Sequence, residues 1–141
     1  MNAPLLDRSY LADPAILGQV RADLQRACER AECPAAHAHD LVLAVNEACM
    51  NVIQHAYRDT RLPEEDRVFV LRLARDDASL VVHLLDRGRK ISESDLKPRP
   101  LDEIRPGGLG VSLIRELTDC MKYLPAPESF ANLLELRKDL G

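Results

Sequence analysis

A chain of 141 residues fits one domain that buries about two-thirds of its unfolded surface. Two Phe, three Tyr and no Trp leave the core to aliphatic side chains. A net charge of −4 and a pI of about 5.6 argue against a nucleic-acid binder that works through bulk charge, and they leave room for a basic protein partner.

The first residues carry charges and a proline and no apolar run of the signal-peptide kind, and no stretch reaches the roughly 20 apolar residues of a membrane span. The expected location is the cytoplasm, with Cys28, Cys33, Cys49 and Cys120 as reduced thiols. Pro4 to Leu11 reads as a short strand. Asp13-Pro14 is a helix start, Asp as N-cap and Pro at the first helical position. Ile16, Leu17, Val20, Leu24, Ala27 and Ala31 then keep helical spacing to about Glu32, before Pro34.

Leu41 to Tyr57 contains neither proline nor glycine and reads as the central helix, with an entry between Pro34 and His39. At about 100° per residue, Leu41, Val45, Ala48, Cys49, Val52 and Ala56 share a side that should lie on a sheet, flanked by Val42 and Ile53. Leu43, Met50 and Tyr57 form a second apolar strip, which calls for a neighbouring helix. Glu47, Asn51 and His55 stand four apart between these strips. Such a row lines a cleft or is simply a solvated face. His37 and His39 point apart on a helix and make a poor metal pair with Asp40.

Arg58 to Asp66 is a loop. Arg67 to Arg75 and Ser79 to Leu85 are strands of an antiparallel hairpin turning at Asp76-Asp77, and the unbroken apolar run of the second marks it as interior. Asp86 to Pro106 is a long charged loop with three prolines and a turn near Ser92 to Leu96. Leu109 to Met121 is helical. Lys122 to Pro125 and Ala131 to Leu136 close the chain as a hairpin around Pro127-Glu128-Ser129. This order predicts a two-layer α/β sandwich with helices on one face of a mixed, mostly antiparallel sheet.

Three stretches carry chemistry. Glu47 can accept a proton from a nucleophile, and the Asn51 carbonyl one turn on can ligate a hard cation such as Mg²⁺. Asp86-Arg87-Gly88 ends an apolar strand; its carboxylate can take a hydrogen bond from an exocyclic amine, and Gly88 can leave room for a flat ring. An Asp-x-Gly turn explains the same residues. Pro106-Gly107-Gly108-Leu109-Gly110 leads into a helix, a combination that suits phosphate. It is neither a P-loop, lacking the Gly-Lys-Ser/Thr ending, nor a dinucleotide fingerprint, which needs glycine at position 113, where Leu113 stands, and a strand directly before.

In order, Glu47-x-x-x-Asn51 on a helix, Asp86-x-Gly88 after a strand and Gly107-Gly-Leu-Gly110 before a helix resemble the three motif boxes of the GHKL nucleotide-binding superfamily. Asn46-Glu-Ala-Cys-Met-Asn51-Val-Ile-Gln-His55-Ala-Tyr57 and Gly107 to Asp119 resemble the bacterial anti-sigma factor serine/threonine-protein kinases, from about Asp13 to Leu136. The resemblance implies a Bergerat-type ATP-binding fold in a single domain over residues 1–141. It implies Glu47 as the catalytic base, Asn51 as the Mg²⁺ ligand, and Asp86 and Gly88 at adenine. Ile91 and His55 would lie beside the ATP, Gly107, Gly108, Leu109 and Gly110 at its phosphates, and Arg89 to Pro106 would be a lid with Arg99 or Arg105 reaching the phosphates. Expected partners are an anti-anti-sigma protein of the STAS type, a sigma factor and a second copy of the chain, with no direct nucleic acid or membrane contact. Two departures stand out. Arg87-Gly88-Arg89-Lys90-Ile91 replaces the usual acidic or small residues followed by Pro and Phe, and the last hairpin has Ser129 and Asn132 where glycines are usual. They leave a second reading, a nucleotide-dependent protein-binding switch without kinase activity.

Overall fold

A computed structural model of the chain describes residues 4–91 and 108–141, except for the side chains of residues 108–110. The expected turn near Ser92 to Leu96, most of the predicted lid, Arg99, Arg105 and Gly107 lie outside the described residues.

The elements are β1 (Leu6–Leu11), α1 (Leu17–Arg30), α2 (Ala35–Asn51), β2 (Val68–Asp76), β3 (Ser79–Asp86), α3 (Gly108–Leu117), β4 (Cys120–Leu124) and β5 (Asn132–Asp139). The strands form one sheet in the order β1-β2-β3-β5-β4, with α1 and α2 packed together and α2 packed on α3. Every neighbouring pair among the described strands is antiparallel, so the sheet is less mixed than expected. The cause is the path of the two crossovers. The single helix α3 leads from β3 to a strand of the same direction, β4, but β5 lies between the two and is antiparallel to both. The pair α1 and α2 returns the chain to the far end of β1, where Ala12 N donates to Arg67 O at 2.8 Å, and β2 then runs back along β1.

Local signals set most boundaries. Asp13 is the N-cap of a 3₁₀ turn (Pro14–Ile16) that feeds α1, and its carboxylate accepts from Ala15 N at 2.9 Å. The β2–β3 turn sits one residue later than predicted, at Asp77-Ala78, with Asp77 at φ 57°. The expected helix to Met121 ends at Leu117, because Met121 pairs with Leu136 in the sheet. The predicted side of α2 is buried throughout: Leu41, Val45, Ala48, Cys49, Val52 and Ala56. It meets Phe69, Leu71, Leu73, Val82, Leu84, Leu134 and Leu136, alternate positions of the inner strands. Each such side chain adds about 1.5–3 kcal/mol in removal from water. The second strip is shorter than predicted. Tyr57 is buried and Met50 packs on the core, but Leu43 is 39% exposed. No helix among the described residues is long and apolar enough to cross a membrane.

Two links set the direction of the helices. Lys138 Nζ donates to Leu117 O at 2.9 Å and to Asp40 Oδ2 at 3.2 Å, so the end of α3 lies against the start of α2. The cation also sits where the α3 dipole is negative. At the other end, the buried Tyr57 donates its hydroxyl to Val68 O and accepts from Arg87 N at 2.9 Å, which ties the end of α2 to the start of β2 and the tip of β3. Tyr57→Phe should therefore lower unfolding free energy by about 1–3 kcal/mol in urea titrations, since it strands a carbonyl and an amide while keeping the ring.

Candidate functional site

The polar row of α2 starts the site. Glu47 and Asn51 are half-buried on the last turns of α2, and among the described residues neither side chain makes a hydrogen bond or ion pair. The α-helix does not continue to Tyr57 as predicted: Val52–Ala56 is a π turn that carries His55, also half-buried. Such wide turns inside a helix are often found at functional sites. This one ends in contacts that a local sequence pattern does not reveal. Ala56 O accepts from Arg89 N at 2.6 Å, and the Tyr57 hydroxyl reaches both strands.

Gly88 shows how close this approach is. A Cβ at that position would stand 2.2 Å from Ala56 O and 2.5 Å from Ala56 C. The backbone of the π turn fills the space, so a glycine is needed for the strand tip to meet the helix end. Asp86, two residues earlier, is 5% exposed. Its Oδ1 accepts from Gly88 N at 2.9 Å and from Asn132 Nδ2 at 3.0 Å. Among the described residues both of its side-chain hydrogen bonds fall on Oδ1, which leaves Oδ2 to receive a donor. Burial pushes the Asp86 carboxyl above the usual carboxylate range, against the opposing pull of the Asn132 and Gly88 hydrogen bonds.

Asn132 was visible in the sequence only as a departure from glycine. It is 5% exposed and opens β5 directly across from Asp86. Besides Asp86, its Nδ2 donates to Arg89 O at 2.8 Å, and its Oδ1 accepts from Ile91 N at 2.9 Å. One amide thus holds the carboxylate and the chain leaving it. A hollow of about 310 Å³ opens beside Asn132, between Lys90-Ile91 and the β4–β5 turn, and is lined by Tyr123, Pro125 and Phe130. It includes Ile91 but none of Glu47, Asn51, His55 and Asp86.

Gly108, Leu109 and Gly110 form the first turn of α3. The Lys138 link puts the C-terminus of α3 beside Asp40, so α3 runs opposite to α2. Ten residues of helix span about 15 Å, which brings the glycine turn level with the end of α2 rather than its start. Glu47, Asn51 and His55, the Asp86–Gly88 tip, the first residues of β5 and the start of α3 therefore gather at one end of the molecule. The amides of a helix start, an amide oxygen, two carboxylates and a glycine-lined approach are groups that can hold a polyphosphate, a cation and a base.

The chain matches the model of the histidine kinase-like ATPase domain over residues 10–138. It belongs to that family. Within it the chain groups with the bacterial anti-sigma factor serine-protein kinases. It is 32% identical over 123 residues to the serine-protein kinase RsbW of Bacillus pumilus, covering 82% of this chain and 75% of that one. To RsbW of Bacillus subtilis it is 29% identical over 126 residues, covering 84% and 76%. Two solved structures share the fold. The RsbU and RsbW domains of a Mycobacterium tuberculosis protein superpose with a TM-score of 0.66 at 18% identity, over 99% of this chain and 33% of that one. The SiaB–SiaC complex of Pseudomonas aeruginosa gives 0.65 at 15% identity, over 96% and 89%. Family membership implies ATP binding.

If Gly88 is present because Ala56 lies against it, Gly88→Ala should destabilise this ATPase domain by about 1–3 kcal/mol, the range for overpacking a filled site. Thermal melts of the variant beside wild type check this.

Proposed function

We propose that the protein transfers the γ-phosphoryl group of Mg·ATP to a Ser or Thr hydroxyl of a STAS-type anti-anti-sigma protein, and that it sequesters a sigma factor when that partner is absent. The observation that carries the proposal is the gathering of Glu47, Asn51, Asp86 and the α3 glycine turn at one end of the fold. The naming of its relatives as serine-protein kinases supports the reaction type. On this reading residues 1–141 are one ATPase domain, working in the cytoplasm and open to pairing with a second copy.

The residues fit the groups they would hold. Asp86 Oδ2 is the acceptor that an adenine amino group needs, and Asn132 and Gly88 on Oδ1 hold the carboxylate in place for it. Among the described residues the Asn51 carbonyl has no hydrogen-bond partner, and it is an oxygen of the kind Mg²⁺ takes, one turn from Glu47. Bound there, the metal would supply charge neutralisation on the phosphates. The amides of Gly108, Leu109 and Gly110 would hold phosphate oxygens, with Gly107 and Arg105 completing that end, and His55 and Ile91 would flank the nucleotide. Glu47 would take the proton of the partner's hydroxyl at its carboxylate, its only chemical step, because phosphoryl transfer depends mainly on positioning and charge.

Glu47→Ala should keep ATP affinity by calorimetry and lose phosphoryl transfer to a STAS partner by at least about 10²-fold, the lower range for losing a general base. Equal transfer by variant and wild type removes that role. Asn51→Ala should abolish the part of ATP binding that depends on Mg²⁺, measured as the difference between titrations with and without the metal. The basic run Arg87 to Lys90 favours the second reading, a nucleotide-loaded switch that binds partners without phosphorylating them. That reading holds if wild type captures the partner with ATP and no labelled phosphate moves.

A further inference from the structure

The α1–α2 connection contains a pair of thiols that the ATPase site does not use. Helix α1 ends with Glu32 at φ 57°, Glu32 N donating to Glu29 O and Cys33 N donating to Cys28 O, both at 3.0 Å. These two bonds define a helix stop in which the side chains at the positions of Cys28 and Cys33 touch, usually as an apolar contact. Here both are cysteines. Cys28 is fully buried, and the two thiols are close enough to influence each other's titration. Cys33 is half-buried, with its own thiol 3.5 Å from Pro34 O and the cations of Arg75 and Lys138 nearby. Arg75 Nη1 also holds Ala31 O at 2.9 Å, which braces the turn.

We propose that Cys28 and Cys33 are a reversible dithiol site that closes to an intramolecular disulfide by exchange with a small-molecule disulfide. Sequence spacing alone does not suggest it, because four intervening residues are foreign to the usual redox pairs. The helix stop makes the difference, since its six-residue ring folds the two α-carbons back toward each other, in the manner a disulfide needs. Cys33 is the exposed partner and reacts first. Its thiolate attacks one sulfur of the small-molecule disulfide, whose S–S bond breaks and releases one thiol. Cys28, giving its proton to solvent, then attacks the Cys33 sulfur and releases the second thiol. Two electrons pass from the protein pair to the reagent, which leaves as two thiols. Desolvation raises both cysteines, Cys28 to about 12, so the reaction is slow at neutral pH and the reduced pair is stable against chance oxidation.

The site lies at the start of α2, the opposite end from Glu47, Asn51 and Asp86, so its test is independent of the kinase reading. The full chain is incubated with oxidised glutathione, its remaining thiols are alkylated after unfolding, and peptides are read by mass spectrometry. The expected product is two hydrogen atoms lighter, with Cys28 joined to Cys33, Cys49 and Cys120 alkylated, and full reversal by dithiothreitol. Cys28→Ser should instead stop at a stable glutathione adduct on Cys33. Wild type that stops at this adduct, or that joins Cys120 rather than Cys28 to Cys33, or that keeps all four thiols, overturns the proposal. Oxidised and reduced wild type should bind ATP alike, so loss of ATP binding in both would count against the nucleotide reading and not against the dithiol.

Discussion

The site depends on one contact: the close approach of the last turn of α2 to the tip of β3. Ala56 O takes the amide of Arg89, the Tyr57 hydroxyl bridges Val68 O and Arg87 N, and Gly88 has no side chain because the Ala56 backbone fills that space. Without this contact the polar row of α2 and the carboxylate of Asp86 would belong to separate layers. The π turn at Val52–Ala56 is where the helix gives up regular geometry to make it. Regularity is lost next to the candidate site groups, and local departures from the ideal tend to gather at functional sites.

The opposite end is held by charge. Lys138 is buried with Asp40 and the last carbonyl of α3 as partners, which offsets the cost of removing an ammonium from water. Asp23 is a buried carboxylate on α1. Arg8, Arg26, Gln19 and the Tyr10 hydroxyl all donate to it, and these hydrogen bonds hold its carboxyl below the usual range despite burial. Asp86 differs in kind. Its donors are neutral, no cation pairs with it among the described residues, and burial pushes its carboxyl upward. Asp23 is satisfied within the protein, whereas among the described residues both side-chain hydrogen bonds of Asp86 fall on one oxygen.

The sequence reading reached the fold because periodicity and punctuation agreed along the chain. Asp13-Pro14 placed the first helix, the burial of α2 followed its predicted side, and the continuous apolar run of β3 went to the middle of the sheet. Its errors were errors of termination. The last helix was read through Met121, and α2 through Tyr57, because an apolar residue at helical spacing looks the same whether it faces a helix or a strand neighbour. Leu43 was assigned to a strip facing a neighbouring helix and is 39% exposed instead.

By itself, then, the sequence determined what lies within one element: the helix caps, the buried side of α2, the alternation of the strands, and the presence of Glu47, Asn51, Asp86 and the glycine run as candidate groups. These follow from spacing and local chemistry, which a linear chain carries directly. Tertiary structure decided what depends on two distant segments at once. Asn132 faces Asp86 through sheet register, Gly88 answers to a helix carbonyl more than thirty positions earlier, and Cys28 meets Cys33 because a helix happens to stop between them. No local pattern encodes a register or an approach distance, since both are fixed only when the layers pack.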